Sequence, residues 1–136
     1  MNNAAVELMD AYRREEELYV RVLQLVEEQH RAMKDDADVT AVFGLCSRVE
    51  DLLDEIAVIE DNIQPTKKQW QQQGDDLPDE LESVLGRIQG LIEATAGKQG
   101  QVQQWLAENL GRRRQPVAAG TAGVQARQIR RSYGSQ

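Results

Sequence analysis

Residues 38–65 read DVTAVFGLCSRVEDLLDEIAVIEDNIQP, and this stretch decides the fold class. Val39, Val42, Cys46, Val49, Leu53, Ile56, Glu60 and Ile63 follow one another at alternating steps of three and four. A strand would alternate every second residue, so the period is helical. Leu45, Leu52 and Ile59 flank the stripe at heptad intervals and widen it enough for a bundle core. The spacing predicts an amphipathic helix of about seven turns. Asp38 is suited to cap it, because its carboxylate can accept hydrogen bonds from the free amides of the first turn. Pro65 lacks an amide and its ring crowds the preceding turn, which predicts a stop or kink near Ile63-Gln64. Two outcomes follow: a helix over about 38–64 that stops there, or one continued as a kinked extension through the polar stretch from Thr66 to Gln73, with Trp70, to about residue 73.

Upstream, a second stripe runs Leu8, Tyr12, Glu15, Tyr19, Val22, Val26, Gln29, Met33, broadened by Leu18 and Leu25. It predicts a helix over about residues 4–34, with Glu15 to Glu17 mostly on its outer face. Asp35-Asp36-Ala37-Asp38 breaks the pattern before the next helix. Downstream, Gly74 to Asp79 reads as a turn, with Pro78 at the first helical position and Asp79 and Glu80 where the helix dipole favours acids. A third stripe, from Leu81 through Ile88, Ile92 and Val102 to Leu106, predicts a helix over about 79–110, with Gly111 as its closing residue. Thr95 and Gln99 interrupt that stripe, and Gly97 and Gly100 each weaken a helix interior by about 1 kcal/mol relative to alanine. A soft or bent segment over 95–100 follows from this. The fold class is all-α: an elongated antiparallel hairpin or three-helix bundle over 1–111, coiled-coil-like, with a flexible basic tail over 112–136. So thin a bundle leaves apolar flanks that self-association or a partner would cover.

Composition agrees with this architecture. Of 136 residues 29% are charged and only 4% aromatic, which suits thin cores with wide wet faces. No apolar stretch approaches the roughly 18 residues of a membrane span. The first residues lack the basic and apolar regions of a signal peptide. The single cysteine, Cys46, allows no internal disulfide and fits a reducing cytoplasm. The net charge of −7 is uneven: the six arginines after Gly111 meet no acid, and the first 110 residues carry all 23 acids. An acidic body repels nucleic acid, so only the tail could bind it, and no aromatic-interleaved basic face supports that use.

Constellations that could carry chemistry are weak. Glu27-Glu28-Gln29-His30 holds the Glu-x-x-His spacing of di-metal bundles, but such a site needs two of these motifs and His30 is the sole histidine. Asp35, Asp36 and Asp38 lack the glycine and terminal glutamate of a calcium loop. Cys46, on the core stripe with no helical histidine or lysine beside it, reads as a buried thiol. No catalytic or metal-ligating set emerges, and no cofactor is implied. Trp70 and Trp105 lie at polar helix ends, where bundle-end packing is the first reading and a partner-facing anchor the second.

The tail carries the strongest functional signal. Beyond a small-residue linker, residues 124–134 regain amphipathicity through Val124, Ile129 and Tyr133, framed by Arg127, Arg130 and Arg131. A segment with no core to join has no structural need of these apolar residues, and the pattern fits folding on an acidic groove.

Several residues taken together resemble a known family. They are Tyr12…Tyr19-x-x-Val22-Leu23-x-Leu25…Glu28-Gln29, Asp36-Ala37-Asp38, Val49…Leu52-Leu53…Ile56…Ile59, Ile63-Gln64-Pro65…Trp70 and a tail with Tyr133-Gly134. In these the chain resembles the FlgN-type flagellar export chaperones, small bacterial helical proteins that escort hook-associated proteins to the type III export gate. The resemblance implies a non-catalytic cytoplasmic chaperone, transiently at the export apparatus on the inner membrane. It implies that the third helix (Val102, Trp105, Leu106, Leu110) and the tail (Val124, Ile129, Tyr133, Gly134) bind the client, and that Tyr133 helps dock on an export-gate component. The alternative from the residues alone is a structural coiled-coil adaptor or self-assembling helical protein without an export role.

Overall fold

The computed structural model describes residues 3–74 and 76–111. Over these residues the chain forms three long helices and no strand: α1 (Asn3–Arg31), α2 (Val39–Gln73) and α3 (Asp79–Gly111). α2 runs back along α1 and α3 returns beside it, so the bundle is up-down-up. None of the helices is long and apolar enough to cross a membrane.

α1 forms because its apolar residues recur at helical spacing over a wide arc, with Leu8, Glu15, Tyr19, Val22 and Val26 along its centre, Ala5, Met9 and Tyr12 to one side and Leu18 and Leu25 to the other. All of these residues are buried. α2 and α3 both pack along α1, while they meet each other only sparsely. His30 and Arg31 in the last turn suit the negative end of the helix dipole. The α-helix ends at Arg31, earlier than the position near Lys34 that the stripe predicts, and widens into a π-helical turn over Ala32–Asp36. Ala37 closes that turn in the left-handed region at φ 48°, and its amide bonds to the Ala32 carbonyl. The Asp38 amide reaches the same carbonyl at 3.2 Å. Asp38 then caps α2, its side chain accepting from the Ala41 amide at 3.0 Å.

Pro65 does not end α2, which continues to Gln73 and closes on Gly74 at φ 70°. The physical reason is tertiary. A proline in a helix interior costs about 3 kcal/mol, but the turns after it bury Thr66 and Trp70, and Trp70 joins the core cluster that contains Ala4, Ala5, Leu8 and Tyr12. Stopping at Gln64 would leave the first turns of α1 without a cover. Glu15 also departs from the outer face predicted for it: it is fully buried between the helices.

α3 is helical without a break through Thr95, Gln99, Gly97 and Gly100. The interruption of its stripe appears in the core instead. One apolar cluster spans the end formed by Ala4, Trp70 and Leu81 and reaches Val49 and Ile92. A second, smaller one gathers Val42, Val102 and Leu106 at the other end. Buried Gln29, Thr95 and Gln99 stand between them. Gly97 and Gly100 face solvent, and a Cβ at either would meet no atom within 4 Å. Gly97→Ala and Gly100→Ala should therefore each raise the unfolding free energy by about 1 kcal/mol, seen as a higher midpoint in urea with an unchanged slope. A loss of stability would mean that these turns are not regular helix.

Candidate functional site

The sparse meeting of α2 and α3 leaves a seam between them, floored by α1. At the end near Gly74 the seam deepens into an open recess of about 360 Å³. Leu8 and Tyr12 of α1 line its floor, Lys67 and Trp70 of α2 one wall, and Leu81 and Leu85 of α3 the other, with Leu77 of the α2–α3 turn at its edge. Leu85 and Leu77 are half-buried because no helix covers them from the seam side.

The polar groups near the recess are few and constrained. Lys67 donates to Glu60 Oε2 at 3.2 Å, with the two side chains only 13% and 9% exposed. The Lys67 ammonium also lies 5.9 Å from the centre of the Tyr12 ring, within cation–π range. The second oxygen of Glu60 and the indole nitrogen of Trp70 are buried without a hydrogen-bond partner. A buried ion pair stabilises little beyond an apolar pair of the same shape, but losing one member strands the other charge.

Further along the seam, Gln29 of α1 donates to the Val42 carbonyl at 3.0 Å and to Cys46 Sγ at 3.3 Å. Across from them Gln99 and Val102 of α3 line a narrow cleft against Cys46 and Val49. Burial pushes the Cys46 thiol above its ordinary value, the bond from Gln29 pulls it down, and the nearby Glu50 adds to the rise. The raised value keeps the sulfur a neutral thiol at neutral pH, the form least suited to nucleophilic attack. His30 sits at the bundle edge with Nε2 2.6 Å from Gln101 Oε1.

Exposed ion pairs set the α1–α3 register on the far side from α2: Arg87 grips Glu16 through Nε at 2.7 Å and Nη2 at 3.2 Å, and Arg13 pairs with Glu80. The Glu16 carboxylate holds the Arg87 guanidinium above its usual range.

The residues singled out on the third helix lie together but are not equivalent. Val102 and Leu106 are buried against Val42 in the smaller cluster, whereas Trp105 and Leu110 are half-exposed at its rim. Trp105 and Leu110 can meet a partner as they stand, and Val102 and Leu106 only if the end of α3 moves. Trp70, predicted at a polar helix end, belongs to the main core. Val124, Ile129, Tyr133 and Gly134 lie outside the described residues. The recess residues Leu77, Leu85 and Lys67 were not among the sequence candidates. Their signal was the proline: reading α2 through Pro65 places Lys67 and Trp70 over Tyr12.

No protein-family model matches the chain, and no curated protein or solved structure matches it either.

Lys67→Met alone should lower stability by about 3–5 kcal/mol, because the Glu60 carboxylate is left buried and unpaired. Replacing both, as Glu60→Leu with Lys67→Met, should restore stability to near the starting value. Chemical denaturation of the two variants checks this; equal losses in both would remove the ion pair as the cause.

Proposed function

We propose that this protein acts by holding another protein's helix and not by catalysis, as a cytoplasmic bacterial chaperone of the FlgN type. In this reading its clients are secreted hook-associated flagellar proteins, which it delivers to the type III export apparatus at the inner membrane. The observation that carries the helix-holding part is the seam: α2 and α3 both lean on α1 but scarcely on each other, over an apolar floor. A client's amphipathic helix laid in that seam would complete a four-helix arrangement, with its apolar side chains in the recess beside Trp70. Such a helix, freed of its own partners before assembly, exposes an apolar face and needs cover. The identity of the client class rests on the sequence resemblance, and the half-exposed Trp105 and Leu110 supply a second contact at the opposite end of α3.

Co-expression of the full chain with a hook-associated protein should yield a one-to-one complex that survives gel filtration. Leu77→Ala and Trp105→Ala should each weaken it at least tenfold, as truncation of an interface anchor does, with helical content by circular dichroism unchanged. Recovery of a stable complex with some other helical protein, and none with hook-associated proteins, would leave a general adaptor and sink the export role. Unaltered affinity in both variants would move the contact away from the seam.

A further inference from the structure

The face of α2 opposite the core joins exposed apolar side chains to a run of acids. Phe43 and Val58, 49% and 57% exposed, are its largest exposed apolar side chains. At helical spacing between and beyond them lie Glu50, Asp51, Asp54 and Asp61. None of these four acids pairs with a cation among the described residues, in contrast to Glu55, which lies 3.8 Å from Arg14. Arg48 borders the face one turn from Asp51, and Lys68 lies on it only beyond Asp61. An exposed phenylalanine and valine framing unpaired acids is a surface matched to a basic amphipathic segment.

We propose that residues 124–133 of this same chain dock on that face, from Phe43 towards Val58, so that the protein carries its own ligand. Three observations select this occupant. First, complementarity: Arg127, Arg130 and Arg131 supply cations, Val124, Ile129 and Tyr133 supply apolar contacts, and no acid occurs after Gly111. Second, position: α3 finishes with Leu110 packed in the cluster of Val39 and Val42, at the end of α2 where Phe43 stands. Third, reach: residues 112–123 can extend to roughly 40 Å at 3.3–3.6 Å per residue, and Phe43 to Val58 spans about 22 Å of helix. A second copy fits less well, because an antiparallel pairing of two such faces sets Asp51 and Asp54 of each against acids of the other. Anionic lipid and nucleic acid are repelled outright.

The docked tail and the α2–α3 seam occupy different sides of α2, so the proposal stands whether or not the client is a flagellar protein. Its consequence is competition. A partner that takes the tail must first displace it from α2, and one that presents a similar basic helix can take its place.

The test uses the full chain, with Cys46→Ser to leave a single reactive thiol at Ser132→Cys for a nitroxide label. Amide signals of Phe43, Ser47, Asp54 and Val58 should lose intensity, by the same fraction at tenfold lower protein concentration. Asp51→Lys, Asp54→Lys and Asp61→Lys together should restore those signals, as should raising salt to about 1 M, where the Debye length falls to about 3 Å. Circular dichroism would show the triple variant still folded, and Asp→Asn at the same positions should restore the signals partly. Intensity loss that disappears on dilution would assign the face to a second copy. Loss confined to the α2–α3 seam, or no loss at all, would overturn the proposal.

Discussion

Everything in this bundle depends on α1 being buried on two sides at once. A helix at the edge of a bundle needs one narrow apolar stripe, and the buried arc of α1 spreads from Met9 and Tyr12 on one side to Leu18 and Leu25 on the other. That width allows α2 and α3 both to be held by α1, with few contacts of their own outside the cluster of Val42, Val102 and Leu106. The seam, its recess and the half-exposed leucines beside it are by-products of this hub arrangement, in which the middle of the structure is its first element. The exposed grips of Arg87 on Glu16 and Arg13 on Glu80 add register between α1 and α3, and the longer pair of Arg14 with Glu55 between α1 and α2. Surface pairs of this kind are screened by water and contribute little, so apolar burial against α1 is what chiefly holds the three helices together.

The periodicity of residues 38–65 and of the flanking stripes made the helices legible, and even the polar members of those stripes were informative. Glu15, Gln29, Glu60, Thr95 and Gln99 all fall on core positions by spacing, and all five are buried. What spacing could not supply was what each would do there. Gln29 finds the Val42 carbonyl and Cys46, neighbours fixed only in three dimensions, while Glu60 finds Lys67 seven residues on, which requires α2 to run on through Pro65. Charge made Glu15 look like an outer-face residue when its position in the stripe was the better guide.

Pro65 shows the limit from the other direction. Its local effect is unambiguous and unfavourable to helix, yet the outcome is decided by the burial of Trp70 against the start of α1, some sixty residues away in sequence. The extension to Gln73 was legible as one of two outcomes of that rule, and the burial of Trp70 decides between them. At the far end of α3, Trp105 and Leu110 are half-exposed while Val102 and Leu106 are core, a division within one stripe that follows from where α2 begins.

The bond from Gln29 to residue 42 has a further implication for how sequence change is tolerated. Its acceptor is a main-chain carbonyl, so no replacement of the valine side chain can delete it. Substitutions at 42 can loosen the small cluster it shares with Val102 and Leu106, but the vertical alignment of α2 on α1 is written in an atom every residue possesses. For this bond, positional drift is to be sought at 29, not at 42.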